Sequence, residues 1–296
     1  MRDGFLRVAA ATPSVRVADP AYNREQIETI IRSEAARGTK VLVFPELALS
    51  AYTCGDLFLQ DALQEAVLRE LRQLLHNTAD SEVLCFVGLP FAFENRLYNA
   101  VAVFQKGELL GLVPKLHIPN YGEFYERRYF TPGFEAPVLV PLFGERLPFG
   151  ARLLFSCESL PELKIGVEIC EDLWVPNAPS IDLCTAGATL IVNCSASNAL
   201  AGKRKARREL VKAQSSKLLA GYVYASAGEG ESTQDLVFSA HNLIAEAGEV
   251  LAESPLLTNT VVASELDLKK ILFLRRRQSS YPGRDSESNL YCDIDF

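Results

Sequence analysis

The stretch from Phe5 to Phe44, FLRVAAATPSVRVADPAYNREQIETIIRSEAARGTKVLVF, reads as strand, helix, strand. FLRVAAA (Phe5–Ala11) and VLVF (Val41–Phe44) are short, largely apolar runs of the kind found in buried strands. Between them Asp19 is a natural N-cap and Pro20 suits the first helical position. Ile27, Ile30, Ile31 and Ala35 keep a helical period until Gly38 closes the helix. A second helix over about residues 61–76 aligns Leu63, Val67, Leu71, Leu74 and Leu75 on one face.

The same alternation continues down the chain. Strands are expected at Val83–Leu89, and at Leu97–Phe104 and Glu108–Val113 around a Gln105-Lys106-Gly107 hairpin turn. A loop rich in aromatic, proline and charged residues runs from His117 to Pro137. Leu163–Ile169, Thr189–Cys194 and Tyr222–Ser226 are further strands, Lys203–Ala220 is a helix, and His241–Ala245 with Val250–Ala252 makes a second hairpin. Strands alternating with helices, plus hairpins, predict an α/β sandwich with mixed sheets. Past Leu274 the sequence turns polar and loses its period, which suggests one domain over residues 1–267 and a C-terminal arm or linker over 268–296.

Composition narrows the classes of function. The chain of 296 residues is 48% hydrophobic and 23% charged, enough for a sizeable core, and its net charge of −7 argues against nucleic acid or an anionic membrane as partner. No apolar run approaches the roughly 18–20 residues that span a bilayer, and MRDGFLRVAA lacks the apolar core of a signal peptide. Seven cysteines without paired spacing are expected as reduced thiols in the cytoplasm. HExxH, CxxC, Walker and GxGxxG patterns are absent, so no metal site is expected.

Three ionisable residues stand just beyond strands: Glu46 after VLVF, Lys115 after ELLGLV and Cys170 after LKIGVEI. Taken singly, each has an ordinary explanation: a solvated turn acid, an exposed lysine, a small buried thiol. Together, at the C-terminal ends of strands, they can converge on one cleft. His117, two residues past Lys115, can face the same cleft on an extended segment, but a local hydrogen bond explains it equally well and it is not taken as the base. The basic run Lys203-Arg204-Lys205-Ala206-Arg207-Arg208 reads as the solvated start of a helix, and Arg275-Arg276-Arg277 as a linker or contact face.

The segments around these residues carry a resemblance. VLVFPELALSAY (41–52), VPKLHIPNYGEFYERRYFTPG (113–133) and VEICEDLW (167–174) are similar to the three signature segments of the nitrilase, or carbon-nitrogen hydrolase, superfamily. That resemblance implies a nitrilase-like αββα four-layer sandwich with mixed β-sheets. It also implies Cys170 as nucleophile, Glu46 as general base, Lys115 as oxyanion stabiliser and Glu126 as the second glutamate. EDLWVP (171–176), NCSAS (193–197) and YVYASAGEGESTQD (222–235) further resemble the glutaminase domains of bacterial glutamine-dependent NAD synthetases.

The chemistry such a domain needs fits these residue types. A carboxamide is a poor electrophile, so a thiolate must attack it, Glu46 must shuttle the proton to departing ammonia, and Lys115 must favour the thiolate and hold the oxyanion with the Glu171 N–H. Carried over by position, Tyr121, Ser197 and Lys203 (often Arg in relatives) bind L-glutamine, with Glu171 as acceptor for its ammonium, Phe124 and Trp174 as apolar walls, and Tyr52 beside them. The glutaminase step would need no cofactor. ATP, Mg and deamido-NAD would belong to a C-terminal synthetase domain with an SGGxDS-type loop, which this sequence lacks. The tail RDSESNLYCDIDF resembles the lead-in to that domain, so the chain is read as one part of a longer protein that forms a homo-oligomer. Competing readings are a freestanding amidase or carbamoylase acting on another small amide, and a catalytically idle assembly module.

Overall fold

The N-terminal strand–helix–strand forms as the periodicity dictates. In the computed structural model, which describes residues 4–283 and 290–296, β1 (Phe5–Ala11) and β2 (Val41–Val43) lie parallel, with Val8 opposite Val41. The helix α1 (Pro20–Ala36) connects them, and the Asp19 side chain accepts from Tyr22 N. Alternate residues of β1 serve two different cores. Leu6, Val8 and Ala10 face a second sheet, whereas Ala9 and Ala11 pack with Ile27 and Ile31 of α1.

The remaining strands extend this arrangement. The second helix, α2 (Asp61–Asn77), leads into β3 (Leu84–Phe93), then the hairpin β4 (Arg96–Gln105) and β5 (Glu108–Pro114). With β6 (Val138–Leu142), β7 (Glu145–Phe149) and β14 (Val261–Asp267) they form an eight-stranded mixed sheet ordered β14-β1-β2-β3-β4-β5-β7-β6. The second sheet contains β8 (Leu153–Ser156), β9 (Lys164–Ile169), β10 (Leu190–Ser195), β11 (Gly221–Ser226), β12 (Leu243–Glu246), β13 (Glu249–Glu253) and β15 (Cys292–Asp295). Its order is β13-β12-β11-β10-β9-β8-β15. Leu63, Val67, Leu71 and Leu74 of α2 join α1 on the outer face of the first sheet, while α3 (Pro179–Thr185) and α4 (Lys203–Leu218) cover the outer face of the second. The layers are therefore α, β, β, α, as the resemblance implied.

Several elements carry no clear signal in the sequence. The hairpin β6–β7 holds Pro141 and Pro148 and is half exposed, α3 is only seven residues long, and β14 is a half-polar edge strand whose register is fixed by β1, from Phe5↔Asp267 to Ala11↔Val261. The expected arm is partly built into the body. α5 (Leu268–Arg277) buries Leu268 and Ile271 in the core between the sheets, and β15 pairs in parallel with β8. Arg275, expected in a linker or contact face, donates to the carbonyls of Ala188, Leu218 and Leu219 of the same chain. Arg284 to Asn289, the start of the tail likened to a synthetase lead-in, lie outside the described residues.

Two buried residues of these sheets, Gly88 and Glu168, have measurable consequences. Gly88 of β3 lies against the turn after β2: a Cβ there would stand 2.2 Å from Leu47 N and 2.5 Å from Pro45 O. Gly88→Ala must therefore push the Pro45-Glu46-Leu47 turn aside. We expect about 1–3 kcal/mol of lost stability, read as a lower urea midpoint at unchanged slope. Glu168, on the α3 side of β9, accepts hydrogen bonds from Ser180 N at 3.0 Å and from the Tyr222 hydroxyl. Burial pushes its carboxyl up from 4.5 to about 7 against those bonds. The folded protein thus holds this proton more tightly than the unfolded chain, so the stability it contributes is full below 4.5 and is lost as pH rises through about 7. Glu168→Gln should make the fall in Tm between about pH 5 and pH 8 shallower; an unchanged slope would contradict this linkage.

Candidate active site

Three strand ends deliver the three residues. Glu46 follows β2 and its N–H donates to Ser195 O of β10 at 3.3 Å, a bond that joins the two sheets. Lys115 follows β5, where its N–H donates to Asn99 O at 2.8 Å. Cys170 follows β9 and opens a short 3-10 turn (Cys170–Leu173) with φ of 43°, a left-handed conformation that costs energy in a non-glycine residue. The Cys170 N–H donates to Asn193 Oδ1 at 3.1 Å, so the nucleophile's own amide is occupied.

The cluster formed by Lys115 is buried and charged. Its Nζ lies 2.6 Å from Glu46 Oε1 and 2.8 and 2.9 Å from the two carboxylate oxygens of Glu126. Asn99 Nδ2 donates to Glu46 Oε1 at 2.6 Å, and the Tyr52 hydroxyl donates to Glu126 Oε1 at 2.7 Å. Burial alone would depress the Lys115 ammonium, but Glu126 and Glu46 outweigh it and raise its pKa well above the lysine range. Burial raises the Glu126 carboxyl to about 7 against the pull of Lys115, with Glu46 adding to the rise. Glu46 Oε2 and Asn99 Oδ1 are buried and have no hydrogen-bond partner among the described residues. In a site that must accept a proton, a vacant carboxylate oxygen is the expected device.

The Cys170 thiol is raised well above the usual cysteine value, first by burial and then by Glu46, while Lys115 works in the opposite direction. Lys115 does favour the thiolate, as its charge suggests, yet in the resting protein it is outweighed. The resting nucleophile is therefore a thiol that needs a base at the moment of attack.

The other expected residues gather around this cluster. Tyr121, exposed, donates its hydroxyl to Glu171 Oε1 at 2.7 Å. Lys203 Nζ sits 5.4 Å from the ring centroids of both Phe124 and Trp174. Ser197 is buried and accepts from Arg207. His117 faces Asp172, with its backbone N–H and its Nδ1 each 2.8 Å from Asp172 Oδ1, which gives it the local role expected. A cleft lined by Tyr52, Phe58, Phe124, Glu126, Tyr129 and Phe130 reaches the cluster through Tyr52 and Glu126; Glu46, Lys115 and Cys170 are buried.

Sequence reasoning missed four contributors. Asn99 interrupts the apolar run of β4, a signal that was available. Asp172 accepts from both His117 N and Ile169 N, joining the loop after β5 to the nucleophile turn. Glu231, in the GEGES stretch, holds Tyr52 N at 2.8 Å and Thr53 N at 3.0 Å. Arg207, placed among solvated charges from sequence, is fully buried: it is the one cation of its run on the sheet-facing side of α4, alongside Val211.

Comparison with known proteins agrees with this geometry. A family model described as carbon-nitrogen hydrolase matches residues 7–276. A glutamine-dependent NAD(+) synthetase of Mycobacterium tuberculosis is 41% identical over 274 residues, covering 93% of this chain and 40% of that protein. One from Aquifex aeolicus is 32% identical over 287 residues, covering 95% and 46%. The chain thus spans less than half the length of these curated relatives. Among solved structures, a glutamine-dependent NAD(+) synthetase from Cytophaga hutchinsonii superimposes with a TM-score of 0.78 at 27% identity, over 88% of this chain and 42% of that one. An amidase from Nesterenkonia sp. shares the fold, with a TM-score of 0.71 at 20% identity over 94% and 97% of the two chains. With the family model covering nearly its full length and the buried acid, lysine and cysteine in place, this chain belongs to the carbon-nitrogen hydrolase family.

Proposed function

We propose that the chain is a glutaminase that hydrolyses L-glutamine to glutamate and ammonia through a thioester at Cys170. The observation that carries this is the buried Glu46–Lys115–Glu126 cluster, in which Glu46 keeps one oxygen vacant and adds to the field on the Cys170 thiol. The names of the relatives supply the amide: glutamine.

In this mechanism Glu46 takes the Cys170 proton as Sγ attacks the side-chain carboxamide carbon. The tetrahedral oxyanion is held by the Lys115 ammonium and the Glu171 N–H. Collapse breaks the C–N bond, and Glu46 returns its proton to the departing ammonia. Water, deprotonated by Glu46, then cleaves the thioester to release glutamate and restore the thiol. Glu126, Asn99 and Tyr52 hold the carboxylates and the ammonium in register. Glu171, Tyr121, Ser197, Lys203, Phe124 and Trp174 form the glutamine pocket.

The relatives are more than twice as long as this chain, and their name implies a second activity. The ammonia would serve ATP- and Mg-dependent amidation of deamido-NAD in a C-terminal synthetase domain, with residues 268–296 as the connection to it. The working protein would be a cytoplasmic homo-oligomer.

Incubation with 6-diazo-5-oxo-norleucine followed by intact-mass spectrometry tests the nucleophile and the pocket together. One adduct per chain at Cys170 is expected, blocked by glutamine and absent in Cys170→Ala. Turnover of other small amides with no labelling would point instead to a freestanding amidase. Glu46→Gln keeps the shape of the side chain but removes the base, and should lower glutamine turnover by about 100- to 10,000-fold. Full activity in that variant would remove Glu46 from the mechanism.

A further inference from the structure

Among the described residues, the largest fully buried side chain is a cation, Arg207. Its Nε and Nη2 donate to Ser197 Oγ at 3.2 and 2.9 Å, Nη2 also donates to Asn198 O at 2.8 Å, and Nη1 meets His241 Nδ1 at 3.0 Å. A guanidinium only donates, so His241 accepts at Nδ1 and carries its proton on Nε2, which lies 3.0 Å from Glu253 Oε1. Burial lowers the His241 pKa, consistent with a neutral ring. Glu253 is itself paired with Arg204 and Arg208, each at 2.8 Å. Among the described residues, therefore, no carboxylate pairs directly with Arg207.

A buried cation of this kind calls for an anion. Two guanidinium N–H groups occupy the lone pairs of Ser197 Oγ, which leaves that hydroxyl free only to donate. Close by, the Tyr224 hydroxyl is buried with the Ser195 and Ser197 hydroxyls as neighbours, and among the described residues it makes no hydrogen bond of full geometry. Burial pushes its pKa up to about 12, with Arg207 pulling it down and Cys170 pushing it up, so the phenol feels both the cation and the nucleophile. Ser197, two residues beyond the end of β10 whose Ser195 carbonyl accepts from Glu46 N, thus presents a hydroxyl donor backed by a buried positive charge.

We propose that Arg207 is the positioning residue that makes the site select amides bearing a carboxylate: the substrate's carboxylate, bound by the Ser197 hydroxyl, is the counter-ion the guanidinium lacks. This deepens the glutaminase reading and rests on it for the identity of the amide. Lys203, at the rim and stacked on Phe124 and Trp174, supplies a second cation but sits outside the buried layer. The selection acts mainly on binding, so the consequence falls on KM.

The test compares three amides in the wild type and in Arg207→Met, Arg207→Lys and Ser197→Ala. They are L-glutamine, glutaramate (carboxylate but no ammonium) and butyramide (neither). In Arg207→Met the ratio of kcat/KM for either carboxylated amide to that for butyramide should fall about 100-fold, through KM, and Arg207→Lys should restore at least about tenfold of it. Ser197→Ala, which leaves Arg207 in place, should lower the same ratio and covers the case in which Arg207→Met does not fold. A ratio within about threefold of wild type in both the Met and Ala variants overturns the proposal, as does an equal fall for all three amides. Wild-type preference for glutaramate without turnover of glutamine, lost in Arg207→Met, would sink the glutaminase reading but sustain the carboxylate one. Preference for glutamine that ignores Arg207 would do the reverse.

Discussion

One ammonium shared by two buried carboxylates is the interaction on which the rest of the structure depends. Lys115 is fully buried, as is Glu46, and Glu126 is nearly so. Each comes from a different part of the chain: the ends of β5 and β2, and the loop after Lys115. Taking any one partner from such a group leaves an uncompensated buried charge, a loss of about 3–5 kcal/mol. The two sheets must therefore hold three segments in mutual register to within hydrogen-bond distance. Asn99 and Tyr52, which bridge to the carboxylates, narrow that freedom further.

The fold meets this demand through close approach. Both faces of the central strands are buried, so their register cannot slip without turning apolar residues outward. The bond from Glu46 N to Ser195 O crosses from one sheet to the other, beside the strand whose neighbour carries Cys170. Gly88 lets the Glu46 turn sit against β3 where no side chain would fit. The nucleophile turn is held in its strained conformation from two sides: Asn193 accepts the Cys170 N–H, and Asp172 accepts the Ile169 N–H. Strain of this kind persists only where neighbouring contacts fix it.

Much of this was legible in sequence because it is periodic or local. β1, α1 and α2 announce themselves by burial on fixed faces, and Glu46, Lys115 and Cys170 by the abrupt end of apolar strands. What escaped detection depends on distant partners. β14 and β15 exist because β1 and β8 offer open edges, and neither has a strong period of its own. Arg207 looks like its neighbours Lys205 and Arg208 in sequence; only the packing of α4 against the second sheet sets it apart. The net state of Cys170 was also beyond sequence, since it depends on burial and two carboxylates acting against one lysine.

These charges give the site a polarity that a substrate can read. Around Lys115 two carboxylates face one ammonium, and they add to the rise that burial already gives the thiol pKa. On the α4 side Arg207 is buried without a directly paired carboxylate among the described residues, and Lys203 lies over two aromatic rings. An amide whose far end is anionic would be drawn to the basic side by that end, leaving its neutral carboxamide toward the acid cluster and Cys170. The reverse orientation would set a carboxylate against Glu46 and Glu126 in a low-dielectric interior, where like charges repel most strongly. Binding and orientation would then come from the same field, and the costly buried charges at both ends would be used together only when a substrate of the right polarity lies between them.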